Sequence, residues 1–332
     1  MQTDDISLEK TLKLLERLAN QSLTRWDVPP DARARLINVS ENATYLVEAA
    51  NYRAVLRVHR QGYHSRNAIE CELAWADSLN AQGGVTTPGV YVGKDGQRIQ
   101  SAHVPGLPAP RFMVLFHFVD GVEPDPDQDP TGHFRDLGGI AARTHLHSIS
   151  WPRPPGFERL IWDADAVFGP DPTWGNWRDA PGVDIKIKNA LEGVENKVIN
   201  RLSDFGKSPD RFGLIHADMR LANLLVDHRG TRLIDFDDCG FGWYLYDFAA
   251  AISFIEDNPA VPAMKIAWIE GYRQVRSLSD EDVQEMDTFV MLRRMALLAW
   301  IGSHIEAPEP RALAPGFAQV TARLGQAYLD AG

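Results

Sequence analysis

His216, Asp218 and Asn223 fall within eight residues, and Asp235 follows twelve positions after Asn223. Two carboxylates and a carboxamide delivered together suit a hard divalent cation such as Mg²⁺, which proteins hold with one or two carboxylates while substrate phosphates supply further oxygens. A carboxylate just outside the metal shell can orient a hydroxyl and accept its proton. The flanking residues explain how these groups are presented. Apolar runs at Leu224–Val226 and Leu233–Ile234 bracket Asp227-His228-Arg229-Gly230, the pattern of a β-hairpin with a polar, glycine-containing turn. A loop bearing His216, Asp218 and Asn223 leads into the hairpin, and Asp235 is expected to end its second strand.

The whole chain sets the bounds. Its 332 residues are 44% hydrophobic and 24% charged, enough for two domains or lobes. A formal net charge of -11 opposes nucleic-acid binding. It would also repel a nucleotide unless metal and local Lys or Arg compensate. Two cysteines, Cys71 and Cys239, imply no disulfide framework and point to a reducing cytoplasm. The acidic N-terminus lacks the apolar core of a signal peptide. Phe289–Ile301 is apolar but short and interrupted by Arg293 and Arg294, so no membrane span is expected.

Ser7 to Leu18 places Leu8, Leu12, Leu15 and Leu18 on one helical face with Ser7 as N-cap. Arg35–Val39, Thr44–Ala49 and Ala54–His59 read as a three-stranded antiparallel meander, with Ser40-Glu41-Asn42 in its first turn. A helix is expected over Ser65–Asn80, then strands at Val90–Val92, Arg98–Ala102 and Phe112–Val119. The last is a near-continuous apolar run of buried-strand type. The proline- and acid-rich piece from Glu123 to Pro130 that follows is the clearest boundary in the chain, dividing it into residues 1–119 and 120–332.

Beyond it, Thr131–Ser148 and Asp184–Leu202 are helical in pattern. His145 and His147 stand two apart, not at the three or four that share a helix face, so a metal site there is discounted in favour of core or surface histidines. Trp151–Trp177 reads as a long irregular insert carrying Trp151, Trp162, Trp174 and Trp177. Further helices are expected near Tyr244–Glu256, Val261–Val275, Asp280–Ser303 and Gly316–Tyr328. Gly240 and Gly242 lack the strand–glycine–helix context of a nucleotide fingerprint.

His216-x-Asp218-x4-Asn223, Asp235 and then Asp247 twelve positions further resemble the catalytic core of the aminoglycoside phosphotransferase superfamily. That superfamily also holds choline kinases, type II homoserine kinases and small bacterial protein kinases. The resemblance runs over roughly residues 30–280 and implies an α+β, bilobal protein-kinase-like fold with a small antiparallel-sheet N-lobe and a mostly helical C-lobe. In kinases a catalytic-loop Asp meets the substrate hydroxyl while an Asn and a second Asp hold Mg²⁺. Carried over, Asp218 is the base, His216 braces its loop, Asn223 and Asp235 are metal ligands, and Asp247 supports the loop from the next helix. Arg57 stands where kinases place a Lys for the α- and β-phosphates, and it keeps the charge; a solvent-facing strand arginine is the alternative. Glu72, with Glu70 in reserve, would pair with it. Ser40 and Asn42 would approach the phosphates in a turn that has no glycine. The backbone around Phe116 and Phe118 would be the adenine-binding hinge, and the tryptophan-rich insert would help shape the acceptor pocket.

The implied activity is ATP- and Mg²⁺-dependent transfer of the γ-phosphoryl group to a hydroxyl of a small molecule. The acceptor is left open among amino alcohol, homoserine-like and aminoglycoside-like compounds. A stress-type Ser/Thr protein kinase shares the same core. A nucleotide-binding pseudokinase is the alternative from another class.

Overall fold

Alternating burial sets the first part of the fold. The computed structural model, which describes residues 7–39, 42–125 and 128–331, opens with α1 (Leu8–Ser22), capped by the Ser7 hydroxyl accepting from the Lys10 N–H. Strands β1 (Arg33–Val39), β2 (Ala43–Ala49) and β3 (Tyr52–Val58) follow, then α2 (Arg66–Ser78), β4 (Ile99–Ala102) and β5 (Arg111–His117). The strands form one sheet in the order β1-β2-β3-β5-β4, antiparallel at every pairing. Ala43, Tyr45 and Val47 of β2 alternate inward and pack with Leu15, Leu18 and Ala19 of α1. On the other face Ile69 and Leu73 of α2 meet Ile99 and Val114. Met113, Val114 and Leu115 are therefore all buried, since β5 is covered on both faces. Arg57 pairs with Val114 across the ladder, so it shares the face that α2 covers.

Val90–Val92 does not form the expected strand; only an isolated bridge joins Val90 to Phe116. Ser40 lies outside the described residues.

The chain divides into two compact units, Met1–Asp77 with Pro88–Asp120, and Ser78–Thr87 with Gly121–Gly332. The second holds α3 (Pro130–Ser150), β6 (Leu160–Trp162), α4 (Ala164–Phe168), α5 (Ile185–Phe205), β7 (Phe212–Ile215), β8 (Leu224–Asp227), β9 (Gly230–Leu233) and β10 (Gly240–Trp243). It ends with α6 (Tyr246–Ala251), α7 (Val261–Arg273), α8 (Asp280–Ser303), α9 (Pro308–Leu313) and α10 (Phe317–Asp330). β8 and β9 make the expected hairpin. The insert is more ordered than expected, because it contributes β6 and α4. β6 pairs in parallel with β10, whose other edge runs antiparallel to β7. The helix expected over Tyr244–Glu256 is confined to α6. Among the described residues no helix is long and apolar enough to cross a membrane. In α8, Arg293 and Arg294 are buried in ion pairs with Asp218 and Glu256.

Two glycines let α3 and α7 approach to backbone contact. A Cβ at Gly138 would strike the Trp268 carbonyl, and one at Gly271 the Arg135 carbonyl. This contact sets the distance between His145 on α3 and Tyr272 on α7, whose hydroxyl lies 3.0 Å from His145 Nδ1. Gly271→Ala should therefore lower the unfolding free energy by about 1–3 kcal/mol; an unchanged urea midpoint would contradict the close approach.

Candidate active site

The loop that follows β7 is anchored before its functional residues begin. The Leu214 N–H donates to Ser148 Oγ on α3 at 2.9 Å. Asp247, wholly buried on α6, then accepts the His216 N–H at 3.2 Å and the Ala217 N–H at 2.7 Å. Those two amides have no strand partner beyond β7, and a buried amide left unpaired is costly. Ala217 sits at φ 66, a left-handed conformation that costs an alanine about 1 kcal/mol, and the Asp247 clamp over-determines it. His145 Nε2 lies 2.9 Å from Asp247 Oδ2. Since the carboxylate can only accept, Nε2 carries the proton and Nδ1 accepts from the Tyr272 hydroxyl. Burial pulls the His145 pKa down and outweighs the upward pull of Asp247, so the imidazole is neutral.

His216 ties this loop to the end of the hairpin. Its Nδ1 accepts the Asp218 N–H at 3.3 Å, so Nε2 is the donor to the Ile234 carbonyl at 3.1 Å. The Asn223 carbonyl accepts the Ile234 N–H at 2.9 Å. Two bonds on Ile234 therefore hold the segment entering Asp235 against the loop of His216 and Asn223. Asp235 lies beyond the end of β9, not on the strand as expected, and adopts φ 62, a conformation aspartate tolerates better than most residues. The Asn223 amide nitrogen donates to the Asp218 backbone carbonyl at 2.7 Å and to its Oδ2 at 2.8 Å. Both of those partners are acceptors, so the amide orientation is assigned and the Asn223 carbonyl oxygen points elsewhere. An amide oxygen and the Asp235 carboxylate are the hard-oxygen set that fits a Mg²⁺-like cation carrying substrate phosphate.

Asp218 has two cationic neighbours that its sequence context did not announce. Arg293 Nη2 donates to Oδ1 at 2.9 Å, and Arg220 Nε lies 3.2 Å from the same oxygen. Burial alone would raise the Asp218 pKa, but the Arg220 and Arg293 guanidiniums hold it below the usual carboxylate range. The insert braces the segment after Asp235. Arg159 donates to the carbonyls of Phe236, Asp237 and Cys239, and Trp162 Nε1 donates to the Asp238 carbonyl at 2.7 Å. Trp162, Trp174 and Trp300 run together as a chain of ring contacts, with Tyr246 stacked on Trp162.

In the other unit Arg57 Nη1 donates to Glu72 Oε1 at 2.6 Å, both residues being buried. Glu70 pairs instead with Arg98. The Arg57 guanidinium lies 5.0 Å from the Phe116 ring centroid, and Arg53 lies 4.0 Å from that of Phe118. The Asn42 carboxamide oxygen accepts the Arg60 N–H at 3.0 Å, which ties Asn42 to the segment just after β3. The second unit gathers His216, Asp218, Asn223 and Asp235.

Known proteins match this chain along most of its length. The model of the phosphotransferase enzyme family matches residues 33–278. A solved microcompartment-associated aminopropanol kinase is 44% identical, with a TM-score of 0.88 over 95% of this chain and 98% of that one. Amicoumacin kinase of Bacillus subtilis (strain 168) is 22% identical over 293 residues, 85% of this chain and 83% of that protein. A second amicoumacin kinase, solved with AMP-PNP, Ca²⁺ and Ami, shares the fold with a TM-score of 0.76 at 17% identity, covering 96% of each chain.

The neutral His145 makes stability depend on pH. Its folded pKa is depressed, so the unfolded chain binds the proton first, and stability is lost as pH falls below the ordinary value of 6.5. This one group should remove up to about 1 kcal/mol between pH 6.5 and 5.5. Urea unfolding should show a correspondingly flatter pH slope in His145→Gln; equal slopes would mean that His145 takes up its proton alike in the folded and unfolded chains.

Proposed function

The chain belongs to the phosphotransferase enzyme family, and on that premise we propose that it transfers the γ-phosphoryl group of ATP, with Mg²⁺, to the hydroxyl of a small amino alcohol. The observation that carries this reading is the double tie of Ile234, the neighbour of Asp235, to His216 and Asn223 of the loop that bears Asp218. The amino-alcohol class rests on the 44% identical relative named for aminopropanol.

Asp218 receives the acceptor hydroxyl and aims its oxygen at the phosphorus. With its pKa held below the ordinary carboxylate range, it is a weak base at neutral pH. It therefore orients the hydroxyl first and takes the proton only as the bond to phosphorus forms, as a loose transition state permits. Asn223, through its side-chain amide oxygen, and Asp235 would hold the metal, which when bound would supply positive charge for the phosphate oxygens. Arg57, fixed by Glu72, steadies the α- and β-phosphates with a fork that matches their oxygens. His216 keeps Asp218 and Asp235 in register and does not touch the reacting atoms.

Asp218→Ala should lower kcat with MgATP and 1-amino-2-propanol by roughly 10³-fold or more while nucleotide affinity stays near wild type. Asp235→Ala should instead lose the metal-dependent part of nucleotide binding, read by titration with and without Mg²⁺. Full turnover in the first variant, or unchanged MgATP affinity in the second, would remove the role assigned to that residue.

A further inference from the structure

Arg293 comes from α8, seventy-five positions from Asp218, and is 2% exposed. One edge of its guanidinium is fully engaged, with Nε donating to Ser253 Oγ at 3.1 Å and Nη2 to Asp218 Oδ1 at 2.9 Å. The plane is confined by rings, its centre lying 5.1 Å from the Trp174 centroid and 5.7 Å from that of Tyr246. The Tyr246 hydroxyl also interacts with the guanidinium, so the group is held on more than one side.

We propose that Arg293 is a positioning residue for phosphoryl transfer: it locks the Asp218 carboxylate in the one orientation that receives the acceptor hydroxyl. This rests on the role given to Asp218 above. A carboxylate offers about four lone-pair directions. Arg293 takes one on Oδ1 and Asn223 one on Oδ2, while Arg220 reaches across to both oxygens. The long Arg220 contacts, at 3.2 and 3.3 Å, are the ones an incoming hydroxyl displaces, so its direction of approach is set by Arg293 and Asn223. Of the two arginines, Arg293 sets the geometry. The Arg220 side chain is 27% exposed, is shared with Glu309 at 3.8 Å and lies over Phe254. The Arg293 side chain is 3% exposed and held at two atoms. A flat fork clamped between Ser253 and two rings fixes direction as well as charge, which a lysine ammonium on the same stem does not. The insert thus acts at the reacting centre through Trp174, which helps hold the guanidinium plane.

The test is steady-state kinetics with MgATP and 1-amino-2-propanol for wild type, Arg293→Ala and Arg293→Lys, with AMP-PNP affinity measured in parallel. Arg293→Ala should lose about 10²-fold or more in kcat, the scale of a misplaced reactive group, with nucleotide affinity within about twofold. Arg293→Lys should recover no more than about a tenth of the wild-type rate. Guanidinium ion at millimolar levels should raise kcat of the alanine variant about tenfold or more and leave wild type unchanged, a rescue that a purely structural role would not give. If the alanine variant does not fold, Arg293→Met keeps the apolar stem and carries the kcat comparison. A folded variant with near wild-type kcat, or no rescue by guanidinium, overturns the proposal alone. A wild type that transfers phosphate to no amino alcohol overturns the functional reading, and this proposal with it.

Discussion

The site depends on a buried carboxylate. Asp247 is fully enclosed, where a charge is tolerated only if its oxygens are well occupied. Its three donors come from two places in the chain, the amides of His216 and Ala217 and the imidazole of His145. The carboxylate is thus the joint between α3, α6 and the loop that carries Asp218. Removing any donor would leave part of that charge unmatched, so the loop has one favourable arrangement. The glycine contact between α3 and α7 belongs to the same joint, because it fixes the Tyr272 hydroxyl that donates to the other nitrogen of His145.

Charge is managed at close range in an otherwise acidic protein. The formal net charge is -11, yet Asp218 is flanked by two guanidiniums and Glu72 is matched to Arg57. Such pairs rarely add much net stability, because desolvation offsets their attraction. What they supply is direction, and a transfer reaction with little covalent chemistry depends on direction and charge neutralisation. The low basicity of Asp218 fits that division of labour.

Much of this was readable from residue spacing. The loop residues and Asp247 are close in sequence, with local turns between them, and the capping serine of α1 and the span of α8 follow from helix periodicity. The pairing of Arg57 with Glu72 was implied by the resemblance, with Glu70 in reserve, and the structure forms it. The missed features share one cause, contacts that span long stretches of chain. Arg293 stood out only as a charge inside an apolar run, and nothing local ties it to Asp218. Arg159 reaches carbonyls near Cys239 that lie eighty residues away. β10 has the unpromising sequence Gly-Phe-Gly-Trp. Its first glycine is explained by the Leu160 carbonyl of β6, which a Cβ there would strike, and no propensity argument contains that fact. His145, set aside as a metal ligand, proved to be a brace whose partners lie on α6 and α7.

The central claim is that the Asp247 carboxylate holds the catalytic loop in its working shape. Hydrogen exchange of the loop amides in Asp247→Asn, with kcat measured on the same sample, tests it most directly. A side-chain amide offers one acceptor oxygen in place of two. The His216 and Ala217 amides should then exchange at least about tenfold faster, the mark of about 1.4 kcal/mol of lost protection, and kcat should fall while the core helices stay protected. Unchanged exchange at those two amides with full turnover would contradict the account.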